Sequence, residues 1–237
     1  MKKASETGTL YLLPSSLGPG GEASLSPQVL ETARRAEAFI VEHPRTARRF
    51  LRAIGFSGDF DALDMLVYDK NTPPEDIPAL LEPLLAGKDT VLITEAGCPG
   101  IADPGASLVR AAHDRGIRVV PVSGPSSVFL ALMASGLNGQ QFAFHGYLPV
   151  KKPGRLRAIR QLEEKSRAGV TQIFMETPYR NNALLRDLLD TCRAETLLCI
   201  AVDLTLPTEQ VMTQSIGRWR QAPPDLHKRP AIFCIGQ

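Results

Sequence analysis

The sequence predicts an α/β protein built on a parallel sheet. Two observations lead there. Short apolar runs each enter a Gly- or Pro-rich loop and then a stretch with helical spacing, and this strand–loop–helix order repeats along the first half of the chain. Such repetition implies crossover helices and right-handed connections. At 237 residues the chain has room for one to two domains. The division expected is 1–124 and 125–237.

The elements follow in order. Thr9 to Leu13 is a strand that stops at Pro14, which cannot donate to a ladder. An open loop, Ser15 to Gly21, comes next. Pro27 to Glu37 has helical spacing, with Ser26 as N-cap and Pro27 at the first helical position. Ala38 to Val41 is a second short strand. Glu42-His43-Pro44-Arg45 leads into a basic helix, Thr46 to Ile54, that carries Arg48, Arg49 and Arg52. Leu66 to Tyr68 reads as a strand and Asp76 to Leu85 as a helix, weakened near its end by Pro83. Thr90 to Thr94 (TVLIT) is the clearest strand. It runs into the loop Glu95 to Gly105, then a helix from Ala106 to Arg115. Arg118 to Val122 is a strand, and Val128 to Ser135 a helix.

From Gln141 the character changes to a strand-dominated second domain. Phe142 to Tyr147 is a strand, Lys151 to Arg155 a basic loop, and Leu156 to Ser166 a polar helix. Thr171 to Glu176 is a strand, Asn181 to Cys192 a helix, Leu197 to Val202 a strand, and Ile232 to Ile235 an apolar strand. No repeat at a fixed period occurs.

Composition narrows the function. With 27 Lys plus Arg against 25 Asp plus Glu, the formal charge is +2, which excludes a uniformly basic nucleic-acid coat but not a local basic patch. No stretch reaches the ~20 apolar residues of a membrane span, and the run Leu10 to Leu13 after Lys2 and Lys3 is too short for a signal-peptide core. The expectation is a soluble, cytoplasmic protein with no membrane partner. Cys98, Cys192, Cys199 and Cys234 match neither a zinc nor a CxxC pattern and read as reduced, mostly buried thiols. His43, His113, His145 and His227 match no metal spacing, so no metal is expected. There is no G-x-G-x-x-G after the first strand, no Walker A motif and no G-x-S-x-G elbow.

In parallel α/β sheets ligands bind beyond the carboxyl ends of the strands, and the richest Gly/Pro loops fall there. Main-chain groups in Thr94–Gly105 cannot all pair with one another, so a ligand is one way to satisfy them. Asp103 reads as the cap of the helix that follows. On composition alone an ordinary tight connection explains this loop better than a ligand does.

Longer motifs shift that balance. Glu95-Ala96-Gly97-Cys98-Pro99-Gly100-Ile101-Ala102-Asp103-Pro104-Gly105, then Gly116 to Pro125, then Ala134-Ser135-Gly136-Leu137 stand in the order of a D-A-G-T-P-x-I-x-D-P-G, G-I-R-V-V-P-x-P-G-P and A-x-G-L signature. Phe144 to Pro149 is similar to Y-E-G-F-L-P, and Glu42 with Arg45 stand where E-D-T-R is expected. The opening Leu10-Tyr11-Leu12-Leu13-Pro14 matches as well. With these motifs the chain resembles the class III, tetrapyrrole-methylase-like S-adenosylmethionine-dependent methyltransferases. It is most similar to the branch acting on small-subunit ribosomal RNA.

The resemblance implies a two-domain fold, with a parallel-sheet N-terminal domain, a mixed-sheet C-terminal domain and the cofactor cleft between them. It also implies a homodimer that binds S-adenosyl-L-methionine largely through main-chain groups. By motif matching the cofactor would touch Pro14, Thr94, Glu95, Ala96, Gly97, Ile101, Ala102, Ser126, Ser127 and Met175, with Pro230 and Ala231 as weaker candidates. Methyl transfer from a sulfonium needs alignment, and a base if the acceptor is a hydroxyl. Glu42, Glu95 and Asp203 are candidate bases or orienters. Arg45 would pair with Glu42 or hold a phosphate. The catalytic candidates are therefore Glu42, Arg45 and Glu95.

The acceptor side departs from the family pattern. E-D-T-R becomes Glu42-His43-Pro44-Arg45, R-E-L-T-K becomes Val202-Asp203-Leu204-Thr205-Leu206, and Y-E-S-x-x-R becomes Met175-Glu176-Thr177-Pro178-Tyr179-Arg180. Ribosomal RNA or the small ribosomal subunit is the expected partner, with transfer to a ribose 2′-hydroxyl. A small-molecule or tetrapyrrole-like acceptor and a non-catalytic S-adenosylmethionine-binding role are the alternatives. Two basic clusters, Arg45, Arg48, Arg49, Arg52 and Lys151, Lys152, Arg155, Arg157, Arg160, are candidate phosphate contacts.

Overall fold

The computed structural model describes residues 7–237. Lys2 and Lys3 therefore lie outside the described residues. The chain divides into two compact units after Pro125.

In the first unit, β1 (Thr9–Leu13), β2 (Ala38–Val41), β3 (Asp64–Val67), β4 (Thr90–Ile93) and β5 (Arg118–Pro121) form one sheet. Its order is β3-β2-β4-β1-β5, and every pairing is parallel. Helices cover both faces. Phe39, Val41, Val91 and Ile93 pack with Val29 and Ala33 of α1 (Pro27–Arg35) and with Ala47, Phe50 and Leu51 of α2 (Pro44–Ala53). The alternate residues Ile40 and Leu92 pack, with Leu10, against α3 (Ile77–Leu80), α4 (Glu82–Leu85) and α5 (Ala106–Asp114). Burial on both faces is why these strands read as continuous apolar runs.

The expected helix from Asp76 to Leu85 is broken into a 3-10 turn, Pro74–Asp76, and two single-turn helices. Pro83 removes the main-chain donor that a continuous helix would aim at Ala79 O. Ser26 stands at the N-cap of α1, but its hydroxyl donates to Ser123 O (3.4 Å) and not to the helix. Asp103 does not cap α5. That helix starts at Ala106 with Gly105 before it.

The second unit opens with α6 (Ser127–Ser135). Its sheet holds β6 (Phe142–Tyr147), β7 (Thr171–Met175), β8 (Leu197–Val202), β9 (Gln210–Ser215) and β10 (Ala231–Gly236) in the order β6-β7-β10-β8-β9. Only β6–β7 is parallel, so the sheet is mixed. Phe174 and Phe233 face each other across β7 and β10 with stacked rings, centroids 5.8 Å apart. Around them pack α7 (Lys152–Arg167), α8 (Asn181–Thr191) and α9 (Ile216–Gln221).

Three features of this unit differ from the sequence expectation. Residues 152–155 form the first turn of α7, not a loop, because Pro153 sits where its missing N–H costs nothing. β9 is an edge strand with mostly polar side chains and no alternating apolar signal. α9 is a short helix whose N-cap Ser215 accepts from Arg218 N. Two of the basic residues are already committed. Arg155 is buried and its guanidinium contacts Asp187 Oδ2 at 2.6 and 2.7 Å, while Lys152 lies 3.5 Å from the same carboxylate.

All four cysteines are free, and Cys199 and Cys234 face each other across β8 and β10. Among the described residues no helix is long and apolar enough to cross a membrane.

Asp187→Ala strands the buried Arg155 cation. It is expected to destabilise the chain by about 3–5 kcal/mol, read from the urea midpoint, whereas replacing both partners with leucine recovers most of the loss. A loss below about 1 kcal/mol for the single variant would contradict the pairing.

Candidate functional site

Register sets the site. β4 lies between β1 and β2, and Ile93 stands opposite both Leu13 and Val41. The three residues that follow, Pro14, Glu42 and Thr94, therefore leave the carboxyl edge side by side. Glu95 N donates to Glu42 Oε1 at 3.4 Å, which brings two sequence-predicted carboxylates together.

The loop after β4 is held from one side. Ser15 exchanges two main-chain hydrogen bonds with Gly97 (2.8 and 3.2 Å), and its hydroxyl donates to Thr94 O at 2.7 Å. Gly97 has φ +73°, and a side chain there would press on Leu17. Pro14 is buried; a Cβ at Gly124 would come within 2.2 Å of its ring, so only glycine lets that segment close over it. Beyond these anchors Glu95, Ala96, Ile101 and Ala102 are exposed. Ala102 has φ +65°, a conformation uncommon outside glycine.

A small pocket lies at this edge, lined by Glu42, His43, Thr46, Ala47, Phe50, Ile93, Thr94 and Glu95. Thr94 is 3% exposed, and its hydroxyl is buried without a hydrogen-bond partner. Burial, and after it the charge of Asp103, pushes the Glu42 carboxyl up to about 6. Burial, and then the charge of Glu95, pushes Asp103 up to about 6 as well. Asp103 is thus the third member of an acidic group. The sequence signal for it was an Asp-Pro-Gly turn that also fits a helix cap.

Arg45 does not pair with Glu42; no ion pair joins them among the described residues. Its main-chain N–H donates to His43 Nδ1 at 3.3 Å, which caps α2. The capping role of His43 was not apparent from the sequence.

In the second unit, Met175 ends β7 and is registered with Ile232, while Ala231 opposes Val202. Met175, Pro230, Ala231 and Asp203 therefore collect at one end of that sheet. The C-terminal end of α6 packs at the other end, where Thr171 Oγ1 donates to Asn138 O and Thr213 Oγ1 to Ser135 O. Asp203 is not a free base: Arg229 Nε and Thr208 Oγ1 both donate to its Oδ2, at 2.9 Å each. Arg229 thereby stands as the cation beside Asp203 where Val202 and Leu206 supply none. Among the described residues no group of three His, Cys, Asp or Glu is placed to hold a metal.

The family profile described as Tetrapyrrole (Corrin/Porphyrin) Methylases matches residues 15–218. A relative from Mesorhizobium japonicum, named Ribosomal RNA small subunit methyltransferase I, is 34% identical over 96% of this chain and 74% of its own length. Relatives of the same name from Xylella fastidiosa (33%; 98% and 81%) and Escherichia coli O157:H7 (31%; 96% and 77%) are similarly close. Among solved structures, the methyltransferase CobJ superposes with a TM-score of 0.64 at 18% identity, covering 98% of this chain and 95% of CobJ. A cobalt precorrin-4 methyltransferase, CbiF, gives 0.59 at 16%, covering 96% and 94%. These two show the shared fold.

The raised carboxyls make stability pH-dependent. Glu42 and Asp103 hold their protons to higher pH in the folded chain than in an unfolded one. Their contribution is fully present below the ordinary carboxylate range and is lost as pH rises through about 6. Glu42→Gln keeps the Glu95 hydrogen bond but removes the charge. Its melting temperature is expected above the parent's at pH 8, with the gap closing at pH 4. An equal gap at both values would contradict the acidic grouping.

Proposed function

Since this chain belongs to the tetrapyrrole (corrin/porphyrin) methylases and is a methyltransferase, we propose that it transfers the methyl group of S-adenosylmethionine to small-subunit ribosomal RNA, at a ribose 2′-hydroxyl. The observation that carries this reading is identity above 30% sustained over nearly the whole chain with relatives named for that substrate.

The residues present fit the donor. The orphaned Thr94 hydroxyl and the exposed residues Glu95, Ala96, Ile101 and Ala102 are the proposed contacts from the first unit, beside the glycine turn at Gly97. Glu42, Glu95 and Asp103 supply negative charge that favours a fixed cation. Ser126, Ser127, Met175, Pro230 and Ala231 are the proposed contacts from the second unit. Bound there, S-adenosylmethionine supplies an activated methyl on a positively charged sulfur. Its departure as a neutral thioether needs no acid. The chain's own task is to align the acceptor and take its proton. Glu42, with a carboxyl near 6, is ionised at neutral pH and is the proposed acceptor of that proton, with Glu95 N–H orienting it. Arg45, at the first turn of α2, is the proposed phosphate contact nearest this base. A cytoplasmic homodimer completes the reading, supported by the exposed Phe129, Met133 and Phe142.

Tritiated donor incubated with small ribosomal subunits from a strain lacking the gene is expected to label the ribosomal RNA. Label confined to metabolites would favour a small-molecule acceptor instead, and label in no fraction a non-catalytic role. Gly97→Arg is expected to abolish calorimetric binding of S-adenosylmethionine while circular dichroism stays unchanged. Intact binding by that variant would count against the donor's placement.

A further inference from the structure

The arginines of α2 fall on one helical face. Positions 45, 48, 49 and 52 follow the i, i+3, i+4, i+7 spacing of a single stripe, about 10 Å long. The opposite face, Ala47, Phe50 and Leu51, is buried against the sheet. The stripe is therefore held rigidly with its cations outward: Arg45, Arg49 and Arg52 are exposed and Arg48 is half-buried.

None of the four has a carboxylate partner among the described residues. The helix itself contains no acidic residue. In this the four arginines differ from Arg155 and Lys152, which are spent on Asp187, from Arg180, spent on Glu176, and from Arg229, spent on Asp203. Two further details describe the surroundings of these cations. Arg48 Nε is buried with no hydrogen-bond partner in the protein. The Arg52 guanidinium lies 4.6 Å over the Phe60 ring, which holds it flat without neutralising it. The stripe also starts where the proposed base stands. Only His43 and Pro44 separate Glu42 from Arg45, and Thr46, Ala47 and Phe50 of the same helix line the Glu42 pocket.

We infer that this arginine face of α2 is the surface on which the ribose–phosphate backbone of the RNA acceptor lies, next to the nucleotide presented at Glu42. The inference rests on the ribosomal RNA reading above and adds the place of contact. Unpaired guanidiniums match phosphate oxygens in pairs and give affinity without base specificity. Of the two basic clusters seen in the sequence, this one binds. The α7 cluster is the weaker candidate, having committed Arg155 and Lys152 to Asp187.

The test uses the full chain and a fluorescein-labelled single-stranded RNA, with anisotropy read across a salt series. Arg49→Gln combined with Arg52→Gln is expected to weaken RNA binding and to lower the slope of log K against log salt by about 1.4, two contacts at roughly 0.7 each. S-adenosylmethionine binding by calorimetry should be unchanged, which shows that the variant is folded. The control, Arg157→Gln combined with Arg160→Gln on α7, should keep the parental slope. Parental RNA affinity and slope in the α2 variant would overturn the inference. So would loss confined to the α7 control, absence of RNA binding by the parent, or binding of the parent to phosphatidylserine vesicles in place of RNA. Methylation assays on small ribosomal subunits separate this from the wider reading. If the parent labels the RNA and the α2 variant does so equally at limiting subunit concentration, only the placement of the RNA fails.

Discussion

At the carboxyl edge of the first sheet, Ser15 meets Gly97 through both of its main-chain groups and reaches Thr94 O with its hydroxyl. These three hydrogen bonds fasten the loop after β4 to the loop after β1. Without them a segment so rich in glycine and proline has no ladder to join and no helix to form. Gly97 takes a left-handed conformation to make the contact, and Gly124 lacks a side chain so that the next segment can close over Pro14. The edge is thus pinned where it meets the sheet and open beyond. Glu95, Ala96, Ile101 and Ala102 are left exposed.

The near-zero net charge of the chain conceals a local separation. Glu42, Glu95 and Asp103 gather at the strand ends, close enough that burial and mutual repulsion raise two of the three carboxyls. A few residues later α2 presents four arginines and no acid. The switch takes place at His43, which caps the helix, and Pro44, which needs no hydrogen-bond acceptor in the first turn. On the proposed reading, the acidic group would face the cationic donor and the acceptor proton, and the arginines the phosphates. The second unit treats its charges differently. Asp187 and Asp203 are buried and bound to Arg155 and Arg229, so those cations hold the fold together and are unavailable to a partner.

Much of this was legible in the residue order. β2 and β4 read correctly because burial on both faces makes them continuous apolar runs, whereas the edge strand β3 spans Asp64–Val67 in place of the expected Leu66 to Tyr68. The loop Thr94–Gly105 stood out because proline and glycine at that density exclude regular structure. What was missed has physical reasons. β9 is a polar edge strand whose pairing, not its side chains, makes it a strand. The turn Lys152–Arg155 resembles a loop until Pro153 is placed at the start of a helix. Asp103 carries the same Asp-Pro-Gly signal whether it caps a helix or faces another carboxylate.

The linear chain alone determined the element types, the family motifs and the run of arginines after Glu42, since these depend on local spacing and on side-chain chemistry. Tertiary structure decided which charges are free. Asp203 and Arg155 look as available in the sequence as Glu42 and Arg49, yet each has a partner distant in sequence, at Arg229 and Asp187. Whether a charged side chain is a structural tie or an open contact depends on what folding places beside it, because a buried charge must be paired and an exposed one need not be.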